Sequence, residues 1–316
     1  MRIEPVVNAL ADSTRLRIMR LLEQLELAVG ELAHVLGQSQ PRVSRHVAIL
    51  SDSGLAQRRR EGSWAFVRKA VFLQSDNAIN AAVAHLLDGA EAEDAEFAAQ
   101  CAEDRRRLAA IRSMREESAK AFFASHANEW DQLRALLSPS ENVEAAMLDA
   151  LGDAPLGRLL DIGTGTGRIA ELLSDRAEHV VGLDRSPEML RLARARLQHL
   201  SAARWELVQG DFYALGFVDE TFDTVILHQV LHYAQEPAYA IREAARVCRK
   251  GGRLVIVDLA AHENDDLRKR HAHVRLGFAE EQMKGFLAEN GLSYALHSAL
   301  EGDALTTKVW VAQKDC

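Results

Sequence analysis

Three observations predict an α/β protein built in two modules. A polar, basic helix–turn–helix pattern followed by two short alternating stretches opens the chain. An alanine-rich, highly charged stretch without strand signals comes next. From residue 143 onward, apolar runs ending in acids alternate with helical spacing, the mark of a parallel sheet wound with helices. The composition shifts place a winged helix-turn-helix (α+β) over 1–75 and a helical linker and dimerisation region over 76–142. A doubly wound, Rossmann-like domain is expected over 143–316.

Length and composition agree with that division. At 316 residues the chain can bury a core in each module, and 48% hydrophobic with 27% charged residues is ordinary for a globular protein. No apolar run reaches the roughly 18 residues that a membrane span requires. The first residues, MRIEPVVNALADSTRLRIMRLL, carry charge throughout and have no apolar signal core. A cytoplasmic location without a membrane partner is therefore expected. Cys101, Cys248 and Cys316 lie far apart and form no CxxC pair, so reduced thiols and no metal site are expected.

The net charge of −8 conceals an asymmetry. Residues 1–75 hold 11 Lys/Arg against 7 Asp/Glu (+4), and the remainder holds 27 against 39 (−12). A basic front end on an acidic body points to a polyanion met by the front end alone.

Within that front end, Val6, Leu10, Leu16, Ile18, Met19, Leu21 and Leu22 supply apolar positions, and Asp12-Ser13-Thr14 supplies cap candidates between two helices. Val29 to Leu36 reads as a short helix closed by Gly37. Ser39 is a good N-cap for the next helix, with Pro41 in its first turn. There Val43, Val47 and Leu50 recur at helical spacing, leaving Gln40, Arg42, Ser44, Arg45 and His46 on the outer face. That pair of helices is a helix-turn-helix. QRRREGSWAFVRKA then gives a basic strand, a turn at Glu61-Gly62-Ser63, and a strand alternating Trp64, Phe66 and Arg68, a β-wing. Ser39 and the outer residues of the second helix are candidates to reach base edges, while Arg58, Arg59, Arg60, Arg68 and Lys69 are placed to neutralise phosphates.

This front end, over about residues 3–72, resembles the ArsR-type winged-helix repressors in NALADSTRLRIMRLLE, in ELAHVLGQSQPRVSRHVAIL and in the wing. Many members of that family sense metals through a cysteine pair in the helix before the recognition helix. The corresponding stretch here, Leu27 to Ala33, has no cysteine, so a signal must enter elsewhere. The resemblance implies a homodimer on a palindromic double-stranded operator.

Residues 76–135 read as one or two long helices with Gly89 as a break, serving dimer contact and connection. FFASHANEWDQLR places Phe122, Phe123, His126 and Trp130 on neighbouring helical turns, an aromatic stripe.

The second module is organised around LLDIGTGTGR, Leu159 to Arg168. An apolar run meets Asp161, and glycines follow at 163, 165 and 167, so a buried strand ends in a tight turn ahead of a helix. Glycine lets that backbone take positive φ and lie against a ligand, and the helix N-terminus offers free N–H groups. HVVGLD reads as a second strand ending in Asp184, about twenty residues past the first glycine, where a carboxylate meets ribose hydroxyls. RWELVQGDF puts Asp211 and Phe212 after a third strand. FDTVILHQ is a fourth strand ending near His228, and GGRLVIVDL a fifth.

Over about residues 120–316 this set resembles the class I S-adenosylmethionine-dependent methyltransferases, the ubiquinone-biosynthesis type above all. That resemblance implies that Gly163, Thr164, Gly165 and Gly167 hold the methionine part of S-adenosylmethionine or S-adenosylhomocysteine, with Asp161 near its amino group. It implies Asp184 at the ribose and Asp211 and Phe212 at the adenine, with Arg185, Gly210 and His228 also among the cofactor-binding residues, His228 at the end of the fourth strand where substrate would stand. GTGTG departs from the GxGxxG of NAD-binding domains.

Methyl transfer needs alignment, and a base only where the acceptor must lose a proton. Candidates for such a base are His228, His232, Tyr233, His262, His271 and His273, the first three foremost; His228 and His232, four apart, would share one face of a helix. His271 and His273 lie in RKRHAHVRLGF, read as a lid or a basic helix. No NPPY-like stretch or Pro-Cys pair marks a DNA methylase. Two readings follow. In one, a transcriptional repressor senses S-adenosylmethionine or S-adenosylhomocysteine, as resembling regulators of the methionine cycle do. In the other, a working small-molecule methyltransferase carries an autoregulatory winged helix. The lack of an evident acid/base constellation favours the sensor.

Overall fold

The computed structural model describes residues 3–24, 27–61, 64–70, 78–126, 140–302 and 305–315. They fall into two compact units, Met1–Glu117 and Ser118–Cys316.

In the first unit, α1 (Ile3–Leu10) is followed by α2 (Ser13–Leu22), which begins at Asp12, whose carboxylate accepts from Arg15 N at 3.0 Å. β1 (Leu27–Ala28) runs directly into α3 (Val29–Leu36), too short a strand to register as a pattern of its own. Gly37 ends α3 with φ 63°, and Gln38 N returns to Ala33 O at 2.9 Å. α4 (Gln40–Asp52) starts after Ser39 with Pro41 in its first turn. β2 (Ala56–Glu61) and β3 (Trp64–Lys69) pair antiparallel, in a sheet ordered β1-β3-β2. Gly62 and Ser63 of the expected turn lie outside the described residues. The core contains Ile18, Leu32, Val35, Val43, Val47 and Leu50, which bury the inner face of α4 as its spacing predicted.

Two further helices, α5 (Ala78–Glu93) and α6 (Ala95–His126), follow. Val83, Leu87 and Leu108 from these helices join the first unit's core. Arg17 grips Asp104 with two hydrogen bonds of 2.6 Å, and Arg20 reaches Glu91 at 2.7 Å. The break between the helices falls at Asp94 rather than Gly89, which lies inside α5. Asp94 Oδ1 accepts from Glu96 N and Phe97 N, both at 3.0 Å. A carboxylate that satisfies two helix-start donors sets a boundary, whereas a mid-helix glycine only weakens propensity. Trp130 and the side chains of Phe122, Phe123 and His126 lie outside the described set.

The second unit opens with α7 (Ser140–Leu151) and β4 (Gly157–Ile162), then α8 (Arg168–Leu173), β5 (Ala177–Asp184) and α9 (Pro187–Leu197). β6 (Trp205–Gln209), β7 (Phe222–His228), α10 (Pro237–Val247) and β8 (Cys248–Leu259) continue it. A short α11 (Asp266–Arg270), α12 (Glu280–Ala288), β9 (Leu292–Glu301) and β10 (Thr306–Lys314) complete it. The seven-stranded sheet is ordered β6-β5-β4-β7-β8-β10-β9. β4 through β8 run parallel, and β10 is antiparallel to both its neighbours. Strand order reverses beside β4, the topological switch point at which such sheets bind ligands. Alternate residues pack to opposite faces: Leu160, Ile162, Val181 and Leu183 into one cluster, Leu159 and Val180 into another.

The basic stretch after β8 is not one helix. α11 ends at Arg270, and Gly277 at φ 75° brings the backbone so close to the Ala260 carbonyl that a side chain could not fit.

Candidate functional site

The carboxyl ends of β4, β5, β6, β7 and β8 carry the chemistry-bearing residues. At the end of β4 the turn is held from inside: Thr164 Oγ1 donates to Asp161 Oδ2 at 2.6 Å, with Asp161 1% exposed. Gly163, Gly165 and Gly167 have φ of 74°, 53° and 80°. A Cβ at Gly163 would meet Val230 Cγ2 at 2.5 Å, so the turn lies against the segment that follows β7. Gly167 begins α8, its backbone oxygen accepting from Glu171 N.

Asp184 closes the next strand. Its Oδ2 accepts from Gly165 N and its Oδ1 from Ser186 N, both at 2.8 Å. Loss of solvent pushes its carboxyl above the usual aspartate range, and the backbone N–H groups oppose that shift. Arg185 beside it is exposed. Gly210 N donates to Asp184 O at 3.0 Å, which fixes the start of the loop after β6. There Asp211 Oδ1 accepts from Tyr213 N at 2.9 Å, and Phe212 meets the Tyr213 ring edge-on at 4.6 Å. The sheet thus brings Asp161, the three glycines, Asp184, Gly210, Asp211 and Phe212 to one edge. A glycine turn that admits no Cβ, beside an acid on the adjacent strand, fits a nucleoside-bearing ligand.

His228, His232 and Tyr233 sit beyond β7 on the same edge, but not on a helix. His228 is the last residue of β7 and His232 belongs to a 3-10 turn, Leu231–Tyr233, so their spacing of four gives no shared helical face. His232 is 4% exposed, and its Nδ1 lies 2.7 Å from Asp258 Oδ1. Asp258, fully buried, also accepts from Leu231 N, His232 N and Leu259 N. Its oxygens accept, so Nδ1 carries the proton and Nε2 is the basic nitrogen.

The segment after α11 folds over this pair. Val274 N and Arg275 N donate to His232 O at 3.0 and 2.9 Å, and a guanidinium nitrogen of Arg275 donates to Gln235 O. His273, 3% exposed, packs on the His232 ring at 4.2 Å and on Tyr233 at 5.2 Å. Burial and then the neighbouring His232 push the His273 imidazole far below its ordinary value, so it is neutral. Burial likewise raises the Tyr233 phenol. An acid/base constellation therefore exists where the sequence offered none. Its signal was an apolar run ending in an acid, VIVD, as at Asp161 and Asp184, but Asp258 stands 26 residues from the histidine it orients. Among the described residues, no group of three or more His, Cys, Asp or Glu is arranged to hold a metal ion.

In the first unit, Ser39, Gln40, Arg42 and Arg45 are exposed along the start and outer face of α4, with Ser44 and His46 half-buried. Arg42 and Arg45 have no acidic partner among the described residues. His46 turns toward Asp12, its Nδ1 3.6 Å from the carboxylate, and burial lowers its pKa. Arg58 is exposed on β2, and Arg68 donates twice to Gln57 Oε1 across the wing. The side chains of Arg59 and Arg60 lie outside the described set.

Known proteins divide along the same line. Residues 12–58 match the family described as "Bacterial regulatory protein, arsR family", and residues 160–256 match the family described as "Methyltransferase domain". A phosphatidylethanolamine N-methyltransferase of Cereibacter sphaeroides is 42% identical over 124 residues, 39% of this chain and 59% of that protein. The ubiquinone/menaquinone biosynthesis C-methyltransferase UbiE of Ruegeria sp. (strain TM1040) is 37% identical over 127 residues, 39% of this chain and 51% of its own length. The chain spans between about a third and three fifths of the first curated relatives it matches. The magnesium protoporphyrin IX methyltransferase of Synechocystis PCC 6803 with bound SAH superposes with a TM-score of 0.50 at 18% identity, covering 63% of this chain and 100% of that one. At that identity the likeness is one of fold. The chain joins an ArsR-family helix-turn-helix to a methyltransferase domain of Rossmann-like fold, and no described helix is long and apolar enough to cross a membrane.

Proposed function

We propose that this protein is a DNA-binding transcriptional regulator whose methyltransferase unit binds S-adenosylmethionine or S-adenosylhomocysteine and transmits its occupancy to the winged helix. One observation carries the reading: a single chain holds both an exposed arginine face on α4, without an acidic partner among the described residues, and a glycine turn whose Gly165 N–H is held by Asp184. The first feature suits a phosphate backbone and base edges, the second a nucleoside with an amino-acid tail. Operator DNA is its macromolecular ligand, bound as a homodimer on a palindromic site, with genes of the methionine and S-adenosylmethionine cycle as targets. A coupling of about 1–3 kcal/mol between the two sites is enough for control.

The His232–Asp258 pair favours a second reading, in which the domain also transfers the methyl group. The deciding experiment is fluorescence anisotropy of the full chain on the DNA upstream of its own gene, titrated with each cofactor form. The regulator reading expects a shift in DNA affinity, unequal between the two forms. Tight DNA binding indifferent to both ligands would leave the enzyme reading in its place.

A further inference from the structure

We propose that His232, oriented by Asp258, is the proton acceptor of a second small-molecule site, which takes a neutral phenol or enol hydroxyl and presents its oxygen to the methyl donor. The inference rests on the reading that the second unit binds S-adenosylmethionine.

The geometry carries it in three steps. First, Asp258 is held by the backbone N–H groups of Leu231, His232 and Leu259 besides the His232 ring, so it cannot swing away, and the imidazole presents Nε2 as a base of fixed direction. Second, the pair stands next to the donor cradle: the segment carrying His232 begins at Val230, whose side chain occupies the space beside Gly163. Third, His273 is buried on the His232 ring, and among the described residues neither of its ring nitrogens has a hydrogen-bond partner. A neutral imidazole carries one N–H donor, and the oxygen of a hydroxyl whose proton is given to His232 can accept from it. Buried polar nitrogens without partners are costly, and an unpaired donor on this ring points to a ligand that carries an acceptor oxygen.

The charge around the site selects the class of acceptor. His232, His271, His262 and Arg268 are the groups that press on His273 by charge, and each is cationic or can become so. Arg275, two residues further on, is buried. Asp258 is the carboxylate beside His232, and its oxygens are already taken up by three backbone N–H groups and the His232 ring, so the rest of the surround disfavours an ammonium and stabilises an oxygen that is becoming an anion. An amine acceptor is disfavoured, and a hydroxyl whose proton is already weakly held is favoured.

The hydroxyl proton passes to His232 Nε2, and the imidazolium is stabilised by Asp258. S-Adenosylmethionine supplies the methyl group, its C–S bond breaking with the electron pair left on sulfur as the O–C bond forms. The His273 N–H donates to the same oxygen and fixes its direction.

The test uses the full-length protein saturated with S-adenosylhomocysteine and titrated with para-nitrophenol, whose colour reports phenolate directly. The bound probe is expected to carry more phenolate than free probe at the same pH. His232→Gln should lower that excess about tenfold, the equivalent of one pKa unit, and Asp258→Asn should lower it in the same direction. Benzylamine, measured by calorimetry, should not bind. S-Adenosylhomocysteine affinity is measured for every variant and serves as the check on folding. If the wild-type protein binds S-adenosylhomocysteine but the probe stays as phenol, or the excess survives both substitutions, this inference fails alone. If S-adenosylhomocysteine itself does not bind, the cofactor reading fails and takes this one with it. Benzylamine bound as tightly as the phenol would overturn the choice of acceptor.

Discussion

Asp184 spends both carboxylate oxygens on backbone N–H groups, one from the glycine turn at Gly165 and one from Ser186 at the start of α9. That arrangement ties the glycine turn after β4 to the start of α9. Hydrogen bonds to a charged group contribute about 1.5–3 kcal/mol each, so truncation loosens the turn as well as removing an acceptor for the ligand. Asp184→Ala is expected to weaken S-adenosylhomocysteine binding by more than about tenfold, while DNA binding in the absence of ligand survives. Calorimetry for the first and anisotropy for the second check both arms. Loss of both together would locate the damage in folding rather than in the site.

The helices α2, α5 and α6 are clasped by ion pairs in addition to their apolar contacts. Glu91 is the hub: Arg105 donates to it, and Arg20 reaches it at 2.7 Å while also contacting Asp88 at 2.8 Å. The Arg105 hydrogen bond, joined by that from Arg20, holds the Glu91 carboxyl below the usual glutamate range against the opposing effect of burial. A carboxyl whose folded pKa is depressed contributes stability that is fully present above its unfolded value and lost as pH falls through the folded one. Glu91→Gln should therefore lower the stability of the first unit by about 1–3 kcal/mol at neutral pH. The difference from the unsubstituted protein should shrink once the pH drops below the ordinary glutamate value. Urea midpoints at the two pH values measure it, and an unchanged difference would show that charge is not what Glu91 contributes. Elements of this kind explain what sequence could and could not reveal. α4 was legible because Val43, Val47 and Leu50 repeat at one spacing, and β4 because Leu159-Leu160 runs into Asp161 and glycine. The Asp94 break was not, because an acid among many acids becomes a cap only when Glu96 N and Phe97 N turn toward it. β10 was not, because its pairing with β8 and β9 is settled by partners distant in the chain, with Trp310 buried between them.

At the level of the whole chain, the glycine turn was legible because Asp161 and its glycines adjoin in sequence, and His232 and His273 were legible as histidines, whereas Asp258 as the partner of His232 was not, because the two meet only when separate segments fold together. The proposed coupling of ligand to DNA belongs to the same scale. α6 carries Leu108 in the core of the first unit and continues through Ser118, where the second unit begins, to His126. Under the proposed function, α6, whose residues span that division, is the segment through which ligand occupancy would reach the winged helix. Glycine at exposed helical positions costs about 1 kcal/mol per site relative to alanine and lets the backbone bend. Ser113→Gly with Ala121→Gly brackets the division at two exposed positions. The double variant is expected to bind S-adenosylhomocysteine and DNA separately as the unsubstituted protein does, yet to lose most of the shift in DNA affinity that ligand produces. An undiminished shift, measured by anisotropy at saturating ligand, would mean that the signal reaches the winged helix by a route other than α6.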